Sequence, residues 1–198
     1  MPPASPARAP APARRLPRAA RRDQILTAAT EAFAHAGFAA TGLDDIAAAA
    51  GVSRAILYRH FDSKTDLYRA VLDRVGQRLA EQVGLGGYTD ASVGTLVRAA
   101  AADPAGFRLL FRHAAREPEF RAEADRLDAA MVAVAARELR ARISGGDPRW
   151  VRWAARLAPT VAIEAVIAWL DAGQPDPEQA PDRIGAAIDG VLNAARPR

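Results

Sequence analysis

Ile46-Ala47-Ala48-Ala49-Ala50-Gly51-Val52-Ser53-Arg54-Ala55-Ile56-Leu57-Tyr58-Arg59-His60-Phe61 reads as two short helices joined by a tight turn. Ile46 and Ala47 supply the buried side of the first helix. Gly51 permits the positive φ of the turn, and Val52 plugs the angle between the helices. Ser53 can cap the second helix, in which Leu57 and Phe61, four apart, face the core together. That leaves Ser53, Arg54, Ile56, Arg59 and His60 on its outer side. The stretch is a helix-turn-helix, and a short helix with donors near its N-terminus suits the major groove of DNA.

Outward from this motif, start and stop signals divide the chain into helices. The first runs from about Arg18 to Ala36, with Ile25, Ala29, Ala32 and Phe33 on one stripe and Gly37 ending it. Thr41-Gly42-Leu43-Asp44 has the Thr-x-x-acid form that opens a helix, over about Leu43–Ala50. Ser53 opens the next, to about Phe61. Asp62-Ser63-Lys64-Thr65-Asp66 starts a long helix to about Val83. After the break Gly84-Leu85-Gly86-Gly87 come helices over about 91–102, 104–116 and 118–143, two of them with Pro at the first position. Ser144-Gly145-Gly146 is a loop. Asp147-Pro148 opens a helix to about Asp171, and Asp176-Pro177 precedes the last, to about Ala195. The expectation is an all-α chain of about nine helices: an arm over 1–17, a helix-turn-helix domain over 18–66 and a larger bundle over 67–198.

Composition agrees. Of the 198 residues 49 are Ala, the best helix former and a poor core filler, and no stretch alternates as a strand would. With no Cys, disulfides, thiolate metal sites and cysteine nucleophiles are excluded. Three His (His35, His60 and His113) are too few for a histidine-rich metal cluster. No Gly-rich phosphate loop and no recognisable Ser/His/Asp set is present, so neither an enzyme nor a cofactor is expected. The stretch Leu157–Leu170 contains Pro159 and Glu164 and reads as too short to span a bilayer. No signal peptide is read at the N-terminus, and the expected location is the cytoplasm.

Charge is unevenly spread. Residues 1–22 hold six Arg, no acid and six Pro, so that segment is read as a disordered arm. Taking its +6 from the chain's +4 leaves −2 for residues 23–198. Residues 23–69 carry four cations against six acids. A DNA-binding head of that sign cannot rely on its general field, so local placement and the arm must supply the electrostatics. Arg18, Arg21 and Arg22 sit where a segment leaving the first helix reaches the backbone or the adjacent minor groove.

Arg22-x-x-Ile25-Leu26-x-Ala28-Ala29, Phe33, Gly37-Phe38-x-x-Thr41, Ile46-Ala47, Ala50-Gly51-Val52-Ser53, Leu57-Tyr58-x-His60-Phe61 and Ser63-Lys64 together resemble the TetR family of bacterial transcriptional regulators. The resemblance covers about residues 21–70; beyond it only length and helical character agree. It implies a homodimer with two DNA-binding heads and C-terminal bundles that dimerise and hold a small-molecule effector. By motif position it implies that Thr41, Tyr58, His60 and Lys64 hold phosphates and that Arg54, Ala55 and Ile56 lie nearest the bases of a palindromic operator. Gly42, Ala55 and Ile56 differ from the residues usual at those positions. The function implied is a repressor released by its effector. The alternatives are a ligand-independent regulator or activator, and a helical ligand-binding module with a weakened DNA head.

In the bundle, Trp150, Trp153, Leu157, Val161 and Glu164 share one helix face, read either as core or dimer interface, or as pocket wall. Glu164 either pairs with an Arg across the dimer, faces solvent, or contacts an effector, since a carboxylate buried there needs a partner. Phe107, Leu110, Phe111 and Ala114 form a second stripe, and Met131 with Val134 a third. His113 is read as structural or pocket-lining. The pocket candidates are thus Phe107, Phe111, His113, Met131, Trp150, Trp153 and Glu164. Deleting residues 1–20 is expected to weaken binding to cognate and random duplexes alike. The salt dependence should flatten by about 0.9 log units of slope per lost phosphate contact; an unchanged slope would show that the arm does not touch DNA.

Overall fold

The computed structural model describes residues 16–83, 90–143 and 147–197. The expected arm up to residue 15 and the expected breaks at 84–87 and 144–146 lie outside the described residues. Among those described there are nine α-helices and no strand: α1 Arg18–Ala40, α2 Leu43–Ala49, α3 Arg54–Tyr58, α4 Lys64–Val83, α5 Asp90–Ala102, α6 Pro104–Arg108, α7 Arg121–Arg142, α8 Pro148–Asp171 and α9 Ala180–Ala194. Gly37, at φ 78°, kinks α1 where the helix was expected to end. Asp103 and Asp147 cap α6 and α8 by accepting from the N–H groups of Gly106 and Arg149. Helix α9 starts later than the Asp176-Pro177 signal suggests, because Gln174 and Asp176 adopt positive φ, which a helix cannot accommodate.

One segment departs from the expected pair of regular helices. After Arg108 the chain widens into a π-helical turn, Leu109–His113, then tightens into the 3₁₀ turns Ala114–Arg116 and Pro118–Phe120 before α7. The extra residue in the turn re-aims successive side chains. Leu109, Leu110 and Ala114 join the core of the head, whereas Phe111 packs against both that core and the core of the bundle. Arg108 and Arg112 both donate to Asp171 at the end of α8, at 3.0 and 2.8 Å. Hydrogen bonds from Arg112 and then Arg108 hold the Asp171 carboxyl below its ordinary value.

The head core is built from Ile25, Ala29 and Phe33 of α1, Ile46 of α2, Leu57 and Phe61 around α3, and Leu67, Tyr68 and Val71 of α4. It does not close at residue 66, where the domain boundary was expected. Phe120, contributed by the turn before α7, is fully buried in it. Its ring centroid lies 4.4 Å from Tyr68 and 5.0 Å from Phe38, and Tyr68 in turn meets Phe33 edge-on at 4.8 Å. A second core joins α5, α6, α8 and α9 through Val97, Phe107, Val166, Ile167, Leu170 and Ile184.

Helix α8 corrects a sequence expectation. It runs unbroken through Pro159 for 24 residues, and by length and composition it could cross a membrane. Half of its most apolar stretch is buried inside the bundle. Its inward row is small: Ala154, Ala155, Ala158 and Ala162 let α7 and α9 approach closely.

The aromatic cluster makes a test of stability. Phe120→Ala is expected to cost about 3–5 kcal/mol in urea unfolding, as large-to-small changes at sealed aromatic sites do. The Tyr68 hydroxyl is buried with no hydrogen-bond partner among the described residues. Tyr68→Phe is therefore expected to be neutral or stabilising, by up to about 1–3 kcal/mol; a destabilisation would show that the hydroxyl is paired.

Candidate nucleic-acid interface and bundle cavity

The turn of the helix-turn-helix follows from local chemistry. Gly51 takes φ 61°, and the Val52 N–H donates to the carbonyl of Ala47 at 2.9 Å. The Ser53 hydroxyl accepts from the Ile56 N–H at 3.4 Å. From α1, Gln24 Nε2 donates to the Ala50 carbonyl at 2.8 Å and fastens the end of α2, while Arg21 Nη1 donates to Gln24 Oε1 at 2.8 Å. Helix α3 therefore stands rigidly on the head with Ser53, Arg54, Ala55, Tyr58 and Arg59 exposed and Ile56 half-buried.

At the first position of α3, Arg54 Nη1 donates to both carboxylate oxygens of Asp44, at 2.8 and 3.2 Å. Its Nη2 lies 3.4 Å from the Tyr58 hydroxyl, and its guanidinium is 5.6 Å from the Tyr58 ring centre. Asp44 is read from sequence only as helix N-terminal charge; its pairing ten residues along the chain depends on the angle between α2 and α3.

Two of the four residues expected to hold phosphates are turned elsewhere. Thr41 is buried, and its hydroxyl donates to the Gly37 carbonyl at 2.7 Å, with Ala32 O at 3.2 Å. It does not cap α2. That helix is opened one residue later, by the Gly42 N–H donating to Asp45 Oδ2 at 3.2 Å. Lys64 Nζ donates to the carbonyls of Phe38, Thr41 and Ala39 at 2.8, 3.1 and 3.3 Å and sits 4.5 Å from the Phe38 ring centre. An ammonium has three donors, and here all three serve the carbonyls at the α1–α2 corner. Tyr58 is exposed.

His60 is half-buried, with Nδ1 buried and unpartnered among the described residues. Burial pushes its imidazole below the ordinary value, and the charges of Arg18, Arg22 and Arg21 push the same way. At pH 7 it is a neutral group beside three cations. Those three arginines thus stand at one edge of α3. Arg22 is stacked on Phe61 at 4.5 Å, and Arg18 is exposed.

The bundle holds a half-open cavity of about 210 Å³ between α4, α5, α7 and α8 and the π-helical turn. Its walls are Leu79 and Val83, Val93 and Leu96, Leu127, Met131 and Val134, Ile163, and Phe111, with Ser92 the single hydroxyl among the described residues. Of the seven pocket candidates, Phe111 and Met131 line it. Phe107 is buried behind Phe111, 4.7 Å away. The remaining four do not line it. His113 is half-buried off the cavity, with its imidazole pushed down by burial and by Arg116 and Arg112. Trp150 and Trp153 are 53% and 40% exposed, packed edge to face at 5.4 Å, and Glu164 is exposed. The reason is the face: Trp150, Trp153 and Glu164 point out of the bundle, and Ala154, Ala155, Ala158 and Ala162 point in. The cavity residues of α4 went unread because they continue the head's own apolar stripe, and the sequence carries no mark of where one core ends and the other begins.

Residues 25–71 match the family model described as bacterial regulatory proteins, tetR family. Over 190 residues the chain is 34% identical to the transcriptional activator FasR of Mycolicibacterium smegmatis, covering 91% of this chain and 84% of that one. Over 55 residues it is 49% identical to a helix-turn-helix transcriptional repressor of Mycobacterium tuberculosis, 28% of this chain and 29% of the relative. A TetR-like transcriptional regulator from Rhodococcus sp. RHA1 superposes with a TM-score of 0.74 at 23% identity, covering 90% and 99% of the two chains.

The Lys64 contacts predict a stability effect separable from DNA binding. Lys64→Met is expected to lower the unfolding free energy by about 1.5–3 kcal/mol, the range for hydrogen bonds to a charged group. Arg59→Met, at an exposed position of the same face, should stay within about 0.5 kcal/mol. Equal urea midpoints for the two variants would show that the Lys64 ammonium is free.

Proposed function

Because the chain belongs to the TetR family of bacterial regulatory proteins, we propose that it acts as a homodimeric transcriptional repressor that leaves a palindromic operator when a small apolar molecule fills the bundle cavity. One observation carries this reading: the cavity and the head are built on the same two pieces of chain. In α4, Leu67, Tyr68, Val71 and Val75 belong to the head core, while Gly76, Leu79 and Val83 line the cavity one turn further on. In the π-helical turn, Leu109 and Leu110 pack into the head core and Phe111 into the cavity wall. An occupant that displaces either wall must tilt the head. In a dimer that changes the separation of the two α3 helices, and only one separation fits two half-sites a helical turn apart. The protein would work in the cytoplasm, on double-stranded DNA.

Base contacts fall to the exposed start of α3. Arg54 offers a fork for guanine and Ile56 methyls for thymine. Tyr58, Arg59, His60 and the cluster Arg18, Arg21 and Arg22 flank it toward the phosphates. Dimerisation is assigned to the outward faces of α8 and α9. Trp150 and Trp153 stand exposed on α8, and open space surrounds Gly185 and Gly190 on α9, so a partner helix can come close there. The effector is read from the walls. An apolar cavity of about 150 Å³ takes a benzene ring, so this one suits an uncharged molecule of somewhat larger size, or the apolar end of a longer one.

A second reading has one observation in its favour: the relative matched over most of this chain is named an activator. Transcription from a promoter carrying a duplex selected with this protein separates the two, by its fall or rise when the protein is added.

The cavity reading is tested with the neutral fluorophore N-phenyl-1-naphthylamine and that selected duplex. Met131→Trp is expected to abolish fluorophore binding while leaving dimer mass unchanged and duplex affinity within about 0.5 kcal/mol, as for changes outside an interface. Arg54→Ala should do the reverse, with fluorophore binding kept and duplex affinity reduced by about 1–3 kcal/mol. Undiminished fluorophore binding by Met131→Trp would place the apolar site elsewhere.

A further inference from the structure

We infer that Asp44 is a positioning residue for sequence readout: it holds the Arg54 guanidinium for guanine and keeps it from serving as a general phosphate contact. The inference rests on the DNA-binding reading and goes beyond it, because Asp44 itself touches neither base nor phosphate.

The geometry is asymmetric. Asp44 occupies one corner of the guanidinium, Nη1, through both of its carboxylate oxygens. Tyr58 flanks the same group with its hydroxyl 3.4 Å from Nη2 and its ring below. Nε and the second N–H of Nη2 are left to donate outward, and a guanine presents two acceptors, O6 and N7, spaced to meet such a fork. A free arginine at the tip of an exposed helix would have to surrender its rotamer freedom on meeting a base. Here most of it is already surrendered, to a carboxylate from α2 and a ring from α3.

Exposure decides what the pair is for. The Arg54 and Asp44 side chains are 56% and 72% exposed, and ion pairs so exposed contribute little to folding. The charge does matter to an approaching duplex. A carboxylate on the DNA-facing side repels phosphates, and pairing cancels the cation that would otherwise attract them. Residues 23–69 already carry six acids against four bases. With Asp44 in place, the start of α3 gives little to an arbitrary sequence and offers its remaining donors to a group that can accept two at once.

The test uses the full-length dimer and a duplex library randomised over the operator length. Sequences are selected in parallel with the unaltered protein, Asp44→Ala, Asp44→Asn and Arg54→Ala, with thermal melts to check folding. The best duplex from the unaltered protein and a poly(dI-dC) duplex are then titrated over a range of salt. The expected result is a guanine in each half-site that is lost with Arg54→Ala. With Asp44→Ala its preference over adenine should fall by about fivefold or more. Affinity for poly(dI-dC) should rise in the same variant, and the salt slope should steepen by about 0.9 log units for one added phosphate contact. Asp44→Asn, which keeps an acceptor but not the charge, should retain part of the guanine preference. If Asp44→Ala strengthens both duplexes by the same factor and leaves the guanine preference intact, Asp44 is only a repelling charge and the inference is overturned. A selected motif whose guanines do not depend on Arg54 overturns it too. Failure of the unaltered protein to enrich any sequence would instead overturn the DNA-binding reading beneath it.

Discussion

Burial of Tyr68 among Phe33, Phe38 and Phe120 is the contact on which the remaining architecture depends. Three separate pieces of chain meet there: α1 and the turn after its Gly37 kink, the second turn of α4, and the 3₁₀ turn ahead of α7. Aromatic rings packed edge-on at these distances contribute beyond their buried area. The cluster also sets direction, because it fixes α4 relative to α1 and thereby fixes where the rest of α4 points into the bundle. Burial drives the Tyr68 phenol well above its ordinary value, with the charge of Glu117 acting the same way. The ring is present as a neutral, largely apolar body, and its packing offsets the cost of burying a hydroxyl with no partner among the described residues.

The chemistry at the end of the head is set by pairing more than by net charge. Lys64, which by sequence is one of four cations in the segment, is consumed by three backbone carbonyls. Arg54 is engaged by Asp44. Arg74 is ion-paired with Asp23 at 3.0 Å and bonded to the Thr27 hydroxyl at 2.9 Å, across the α1–α4 seam. What remains on the proposed DNA-facing side is a narrow set of donors around α3 and the start of α1. Such a surface favours orientation over attraction, consistent with base contacts specifying and phosphate contacts positioning.

Inside the bundle the division of labour is between small and large residues. Alanines along α8 bring helices together, and the space their small side chains leave on the α4 and α5 side is walled by Leu, Val, Met and Phe. Trp150 and Trp153, which dominate any reading by residue size, stand outside, while Trp169 near the end of the same helix is buried in the bundle core. The π-helical turn lies at the meeting point of the two cores, where a widened register lets neighbouring residues face different ways. Such turns occur at functional positions for that reason.

The amino-acid sequence by itself determined the helical class, most helix limits and the helix-turn-helix, because those follow from interactions a few residues long. Ala content, the apolar spacing of Ile25, Ala29 and Phe33, Gly37 and Gly51 at positive φ, and the caps at Ser53, Asp103 and Asp147 act on their near neighbours. Only the tertiary structure decided which face of α8 turns inward, that Phe120 closes the head, that Thr41 and Lys64 bind backbone carbonyls, and that Asp44 engages Arg54. Both faces of α8 carry apolar residues at helical spacing, so periodicity is satisfied either way. The choice is made by which face fits the surfaces of α5, α7 and α9. The pairings of Asp44 and Lys64 likewise join groups 10 to 26 residues apart, and their distances exist only once the helices have been set against one another.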